Sequence, residues 1–275
     1  MISSGIADLY PKLIYMDIPM QYGHYKKTIS VAIITLNEED RLPDCLASVA
    51  FADDVVVVDS GSTDQTIEIA ENFGARVFKK AWSGFGAQKQ FAIEQCQGQW
   101  ILILDADERI PKETAEEITK ISQTPISFKG YSIARKNYFM NRWIKHAGWW
   151  PDRTIRLFCR DSGCMSNKQV HETMEVDGPV IDLQNPIIHY PFRDLHHLMG
   201  KMDHYSSAGA RDLYKANKKS SIIKAGLRAS WSILYNYLIR GGFLDGGPGL
   251  IIAISDAANI FFKYTKLVEM KKNSA

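Results

Sequence analysis

Asp105-Ala106-Asp107 follows directly on the apolar run Trp100-Ile101-Leu102-Ile103-Leu104, so two carboxylates stand two residues apart just past a candidate strand. Such oxygens suit Mg2+ or Mn2+, hard ions of which Mg2+ binds through one or two carboxylates plus substrate phosphates. Two more polar clusters sit in the same relation to apolar runs. Thr35-Leu36-Asn37-Glu38 closes the run Ile29–Thr35, and Asp59-Ser60-Gly61-Ser62-Thr63-Asp64 closes Val55–Val58. Side by side, the three runs would gather their clusters at one edge. Acidic groups so gathered repel unless a cation or hydrogen-bond donors lie among them. The competing reading is that these are loop-forming and helix-capping residues, and it is strongest for Ser62 and Asp64.

The elements between the clusters are consistent with that edge. The three runs are short and wholly apolar, as strands buried on both faces are. Between them, Leu42, Cys45, Leu46 and Val49 recur at helical spacing. Ser62 with Gln65 reads as a capping box for a helix that Gly74 stops. Residues 75–78 make another strand, residues 86–97 a helix, and Pro111 opens a further one at its favoured first position. The order is βαβαβαβ, an α/β fold with a doubly wound, mostly parallel sheet. Ligands on such sheets bind outside the carboxyl ends of the strands. Residues 125–192 are irregular and aromatic, with strand candidates at Gly130–Ala134 and Thr154–Phe158. The chain turns helical beyond about 195. The expected division is a leader over 1–28, an α/β domain over 29–192 that carries the polar clusters, and a helical extension over 193–275.

Composition excludes several classes. With 45% hydrophobic and 23% charged residues in 275, the chain is a folded protein rather than a disordered one. The net charge of +2 gives no overall pull toward polyanions, and nucleic acid is not an expected partner. Charge is uneven, however, with 13 Lys/Arg against 6 Asp/Glu from residue 193 onward and 20 against 25 before it. The basic rear reads either as a solvated face or as a surface for anionic membrane. Cys45, Cys96, Cys159 and Cys164 form no CxxC pair and no disulfide framework, which favours a reducing compartment. The first 20 residues lack the pattern of a signal peptide, and no uninterrupted apolar run is long enough to span a bilayer.

Taken together, Thr35-Leu36-Asn37-Glu38, Val58 to Asp64, Gly86-Ala87-Gln88-Lys89 and Leu104 to Glu108 resemble, in order and spacing, the successive motifs of family 2 glycosyltransferases of the GT-A fold. The rear half resembles the lipopolysaccharide inner-core β-glucosyltransferase branch through Arg156-Leu157-Phe158, Val170-His171-Glu172, His189-Tyr190 and Gly242 to Gly246. The resemblance implies that Thr35, Asn37, Glu38 and Asp59 hold the base and ribose of a nucleotide-sugar donor, with Lys89 near the ribose or phosphates. It implies that Asp105 and Asp107 bind the donor and a divalent metal (Mg2+ or Mn2+), that His189 is a further metal or diphosphate contact, and that Glu172 is the catalytic base. The chemistry is coherent. Charge on a departing diphosphate is stabilised by a divalent cation helped by Arg or Lys, for which Arg156 and Lys201 are candidates. One carboxylate within hydrogen-bond reach takes the proton of the attacking hydroxyl.

Sugars stack on aromatic faces. Trp149, Trp150 and Asp152 are therefore candidates for an acceptor subsite, with core packing as the alternative. The helical stretches 222–240 and 250–267 carry long apolar faces with basic residues around them. They suit a membrane interface, a packed subdomain or a dimer surface. The expectation is a cytoplasmic enzyme, at the inner face of the inner membrane if its acceptor is a lipid-linked glycan, using UDP-glucose and transferring with inversion. A nucleotidyltransferase, or a binding protein that keeps the fold without the chemistry, is the alternative. His171-Glu172 does not continue as a zinc-protease helix, since Glu175 stands where the second histidine belongs.

Overall fold

The run Ile29–Thr35 forms strand β1, flanked on both sides by parallel partners, β2 (Asp54–Asp59) and β4 (Trp100–Asp105). This is why all three read as unbroken apolar runs: each face of the sheet is covered. The computed structural model describes residues 28–124, 127–166 and 173–273, and the expected leader lies outside them but for Thr28. β3 (Arg76–Lys79) extends the parallel sheet beyond β2. On one face Val31, Ile33, Leu102 and Leu104 pack against α1 (Leu42–Ser48) and α2 (Thr66–Asn72). On the other, Ala32, Val56, Ile101 and Ile103 pack against Ala92 and Ile93 of α3 (Phe85–Gln95). The alternation of side chains along each strand thus builds two cores from one sheet.

Beyond β4 the sheet continues in mixed sense. Its full order is β3-β2-β1-β4-β8-β6-β12-β5, with β5 Glu108–Arg109, β6 Gly130–Phe139, β8 Asp152–Cys159 and β12 Ile187–His189. β7 (Arg142–Trp143) and β11 (Val180–Asp182) also pair with β6, while β9 (Gly163–Met165) and β10 (Met174–Val176) form a separate hairpin. Helix α4 (Lys112–Gln123) buries Ile118 in the first core. One placement matters most for the site. β12 lies between β6 and β5, pairing His189 with Asn137 on one side and with Glu108 on the other.

The rear of the chain is helical: α5 (Leu195–Lys215), α6 (Ile222–Ile233) running into a π-helical turn at Leu234–Ile239, and α7 (Gly246–Lys272). A tight junction joins the last two. Gly241 and Gly246 have φ of 72° and 66°, and a Cβ on Gly249 would lie 2.0 Å from the Gly242 carbonyl oxygen. Only glycine meets these conditions without strain. Asp245, 2% exposed, accepts from the backbone N–H of Lys145 (3.1 Å) and His146 (2.9 Å), which ties the junction to the loop after β7.

One local expectation is corrected. The Ser62–Gln65 capping box does not form, because the Ser62 hydroxyl turns to Asp59 and accepts from the Asn37 N–H; Asp64 accepts from the Thr66 N–H instead. Cys45, Cys96, Cys159 and Cys164 are all free thiols, the first three buried and Cys164 exposed.

Candidate active site

The first two polar clusters are stitched into one another at the carboxyl edge. Asn37 has φ 54°, a left-handed turn that asparagine tolerates well, and its side-chain oxygen accepts from the Thr63 N–H (2.9 Å). Thr66 Oγ1 accepts from the Glu38 N–H, and Glu39 Oε2 accepts from the Gln65 N–H. Asp59 is fully buried, and it accepts from Thr35 Oγ1, Ser62 Oγ and the N–H groups of Gly61 and Ser62. Both of its oxygens are thus occupied by its own loop. Asp59 is placed as the organiser of that loop, and no oxygen is left over for a base or ribose while those bonds stand. Gln88, from the third motif, joins the same edge by donating to Ser60 Oγ (2.8 Å) and the Lys80 carbonyl (2.9 Å).

Asp105 ends β4 between two cations. Lys89 Nζ lies 2.7 Å from Oδ1, and Arg156 Nη2 donates to Oδ2 at 2.9 Å. Arg156 also donates to Glu108 Oε1, and Glu108 Oε2 accepts from the Asp105 N–H (2.9 Å). Burial alone would push the Asp105 carboxyl up; Lys89 and Arg156 outweigh it and hold the group well below the ordinary carboxylate range. The repulsion anticipated among these acids is therefore answered largely by the protein's own cations.

Asp107 is differently placed. Its Oδ2 lies 3.5 Å from Arg41 Nη1 and 3.6 Å from His189 Nε2. Burial pushes its carboxyl up, but the His189 contact more than offsets this, and the group sits below its usual range. Asn137 decides how His189 presents itself. Its Nδ2 donates to the Trp149 carbonyl (3.1 Å) and to Asp152 Oδ2 (3.2 Å), both acceptors only, so its Oδ1 must face His189 Nδ1 at 2.6 Å. Nδ1 is then the donor, and Nε2 is the ring atom turned toward Asp107. A carboxylate oxygen and an imidazole nitrogen so placed, the ring fixed from behind by Asn137, are both atoms that can ligate a divalent cation. Among the described residues no three His, Cys, Asp or Glu side chains form a complete metal cage. Asp107 and His189 nonetheless fit an ion whose remaining ligands come from phosphate oxygens and water.

Cations border this position. Arg193 donates to the Asn37 carbonyl (2.6 Å) and to Glu38 Oε2 (2.8 Å), and Lys201 reaches the Pro191 carbonyl (2.8 Å). Burial raises the Glu38 carboxyl against the pull of Arg193 and Arg41, and burial lowers the Lys201 ammonium, which Asp107 partly restores.

The aromatic candidates divide. Trp149 packs against Phe192 with ring centroids 6.2 Å apart, beside a core of Phe139, Ile144, Leu198 and Ile252. Trp150 is half-buried and edge-on to Trp143 at 5.2 Å. Asp152 is held by Arg135 Nη2 at 2.7 Å. Trp149 also lines a pocket with Phe192, Lys201, Tyr205, Asp256 and Asn259. Glu172, expected as the base, lies outside the described residues.

Asp256 permits a test of this pocket. It accepts from Asn236 Nδ2 (3.3 Å), and burial pushes its carboxyl up to about 6. The fold thus keeps a proton that the unfolded chain releases near pH 4, so this group's contribution to stability falls as pH rises through that window. Asp256→Asn is expected to raise stability at pH 7.5 by about 1–3 kcal/mol and to change it little at pH 4. Thermal unfolding at both pH values checks this, and an equal effect at the two would assign the change to something other than the carboxyl.

Four contributors escaped the sequence reading: Arg41, Glu108, Asn137 and Arg193. Glu108 carried a signal, standing next to Asp107. The others are brought in by long-range pairing that local spacing does not encode.

A sequence profile described as Glycosyl transferase family 2 matches residues 30–171. The Rickettsia typhi glycosyltransferase RT0209 is 33% identical over 262 residues, covering 90% of this chain and 89% of that one. The lipopolysaccharide core biosynthesis glycosyltransferase LpsC of Rhizobium meliloti is 28% identical over 253 residues, covering 87% and 94%. Among solved structures, S. aureus TarS residues 1–349 in complex with UDP aligns over 90% of this chain and 92% of that one, with a TM-score of 0.46 and 16% identity.

Proposed function

The chain belongs to glycosyl transferase family 2, and we propose that within it the protein moves glucose from UDP-glucose to a hydroxyl of a lipopolysaccharide core or related lipid-linked glycan. Membership of the family sets aside the nucleotidyltransferase alternative. The name of the LpsC relative, similar along most of both chains, supports the acceptor class. The enzyme would work on the cytoplasmic side, where nucleotide sugars are made.

The observation that carries the reading is the facing pair Asp107 and His189, 3.6 Å apart at the carboxyl edge and bordered by Arg41. These two residues would hold a divalent cation together with the donor's diphosphate. Such an ion, when bound, neutralises charge that grows on the leaving diphosphate. The chain's own groups do the rest. Asn37 and Glu38 line the nucleotide position, and Asp59 and Thr35 keep that loop in shape. Asp105, with both oxygens taken, positions Lys89 and Arg156 rather than ligating metal, and the two cations add to the positive field at the phosphates. Trp149 and Asp152 are joined to His189 through Asn137, and with Trp150, edge-on to Trp143, they mark the side from which an acceptor would enter.

In the transfer, the acceptor hydroxyl oxygen bonds to the anomeric carbon as the bond from that carbon to the diphosphate oxygen breaks. The electron pair leaves on the diphosphate, and the hydroxyl proton passes to Glu172. One displacement inverts the anomeric centre, so an α-linked donor yields a β product. Glu172→Gln is expected to bind UDP as the unaltered protein does while turnover falls by about 10²-fold or more. Turnover within a few-fold of the original would move the base elsewhere, and recovery of an α-linked product would remove the single displacement.

A further inference from the structure

Helix α6 is built in the opposite sense to a helix on a soluble core. Toward α7 it presents small residues: Ala225 and Ser232 are buried, and Gly226 and Ala229 are partly buried. Away from α7 it presents Ile223 (77% exposed), Leu227 (68%) and Trp231 (59%), and the stripe continues through Leu234 and Leu238 of the π-helical turn. The spacing places these side chains on one face. In a soluble protein such a stripe turns inward. Phe243 and Leu244, both about half exposed, extend the same surface past the junction. A contiguous apolar patch of this kind marks a contact that the isolated chain does not satisfy.

Charge identifies the partner. Between residues 213 and 244 stand Lys215, Lys218, Lys219, Lys224, Arg228 and Arg240, and no Asp or Glu. A second copy docked by the same face would set these cations against their counterparts. A bilayer bearing anionic headgroups offers hydrocarbon to the stripe and negative charge to its rim. Trp231 and Tyr235, stacked with centroids 6.2 Å apart, are the residue types that settle at headgroup depth. Among the described residues no single helix is long and apolar enough to cross a membrane; Ile222–Ile239 and Gly242–Lys272 are so only when taken together, and the pair is bent by 70° at its break. That geometry suits lying in the interface rather than spanning it.

We propose that the face formed by α6, its π-helical turn and residues 243–244 docks on an anionic lipid surface. The docked face is clamped to the site. Asp245 holds the backbone of Lys145 and His146, Arg142 donates to the Leu244 carbonyl (2.9 Å), and the Ala147 N–H donates to the Arg240 carbonyl (3.0 Å). The loop that leads to Trp149 and Trp150 therefore sits at the lipid surface. The consequence is that the acceptor is presented from the bilayer while the donor arrives from solution. Only this last consequence rests on the proposed transferase reaction.

The test is flotation of the full chain with vesicles of phosphatidylcholine alone and of phosphatidylcholine mixed with phosphatidylglycerol. Binding to the anionic vesicles is expected to be at least about tenfold tighter and to weaken with salt. Leu227→Ser/Trp231→Ser, at exposed positions, is expected to lose about tenfold or more while its thermal midpoint stays unchanged, and Lys218→Glu/Lys219→Glu to lose the anionic preference. Wild-type protein that fails to float with anionic vesicles would overturn the proposal. So would a folded serine variant that floats equally well, or a lipid-free dimer that the serine variant dissolves. UDP titration of the same samples separates the two readings: a serine variant that leaves the vesicles yet binds UDP normally locates the defect in docking, and wild type that floats without binding UDP counts against the donor site alone.

Discussion

Asp107→Ala is expected to lower kcat/KM for the donor by about 10³-fold, through weaker donor binding and slower turnover together. A group that helps hold charge on the leaving diphosphate also acts in the transition state, and removing one such interaction costs about 10²–10³ in rate. The loss has a second component. Without Asp107, His189 Nε2 and Arg41 lose the carboxylate they face, and the Asn137 bond that orients the ring remains. Added Mn2+ is therefore expected not to restore activity at any concentration. Asp107→Glu, which keeps the carboxylate and moves it by one methylene, is expected to retain part of the Mn2+ response. Unaltered rates in Asp107→Ala would dismiss the assignment.

The other large effect is on stability. Arg156→Leu is expected to destabilise the fold by about 3–5 kcal/mol, because it strands a buried carboxylate rather than removing a pair. Glu108 is fully buried, and Arg156 is its hydrogen-bonded cation; Arg135 lies farther off at 3.7 Å. For a chain of this size the midpoint should fall by roughly 10 °C. The pH dependence should change with it. Asp105, held below its ordinary range by Lys89 and Arg156 against burial, contributes stability that is present above the unfolded pKa and lost as pH falls through the folded one. In Arg156→Leu that acid-side loss should shrink, because one of the two cations responsible is gone. A midpoint within a degree or two of the original would show that Lys89 and Arg135 carry the cluster by themselves.

The parallel half of the sheet was legible because its strands are buried on both faces, and burial leaves uninterrupted apolar runs that end where the chemistry begins. β1, β2 and β4 each stop at a polar cluster, and their parallel pairing puts the clusters at one edge. The mixed half was less legible. β5 and β12 are two and three residues long, too short to show a period, yet their pairing is what sets His189 beside Glu108 and Asn137. Arg41, Asn137 and Arg193 were missed for the same reason: each works through a partner far away in sequence. Helix α6 shows a different limit. Its periodicity announces an apolar face, but not which face meets α7, and the small residues Ala225, Gly226, Ala229 and Ser232 turn out to make that contact.

If Asp107 and His189 hold a divalent cation with the donor's diphosphate, nucleotide binding must depend both on the metal and on Asp107. Calorimetric titration of UDP into the full chain, with Mn2+ and with chelator, tests it most directly, alongside Asp107→Ala. UDP binding is expected to require Mn2+ and to be lost in the variant. UDP binding equal with Mn2+ and with chelator, or equal in Asp107→Ala, would contradict it and leave the diphosphate to the protein's own cations, Arg41, Lys89, Arg156 and Lys201.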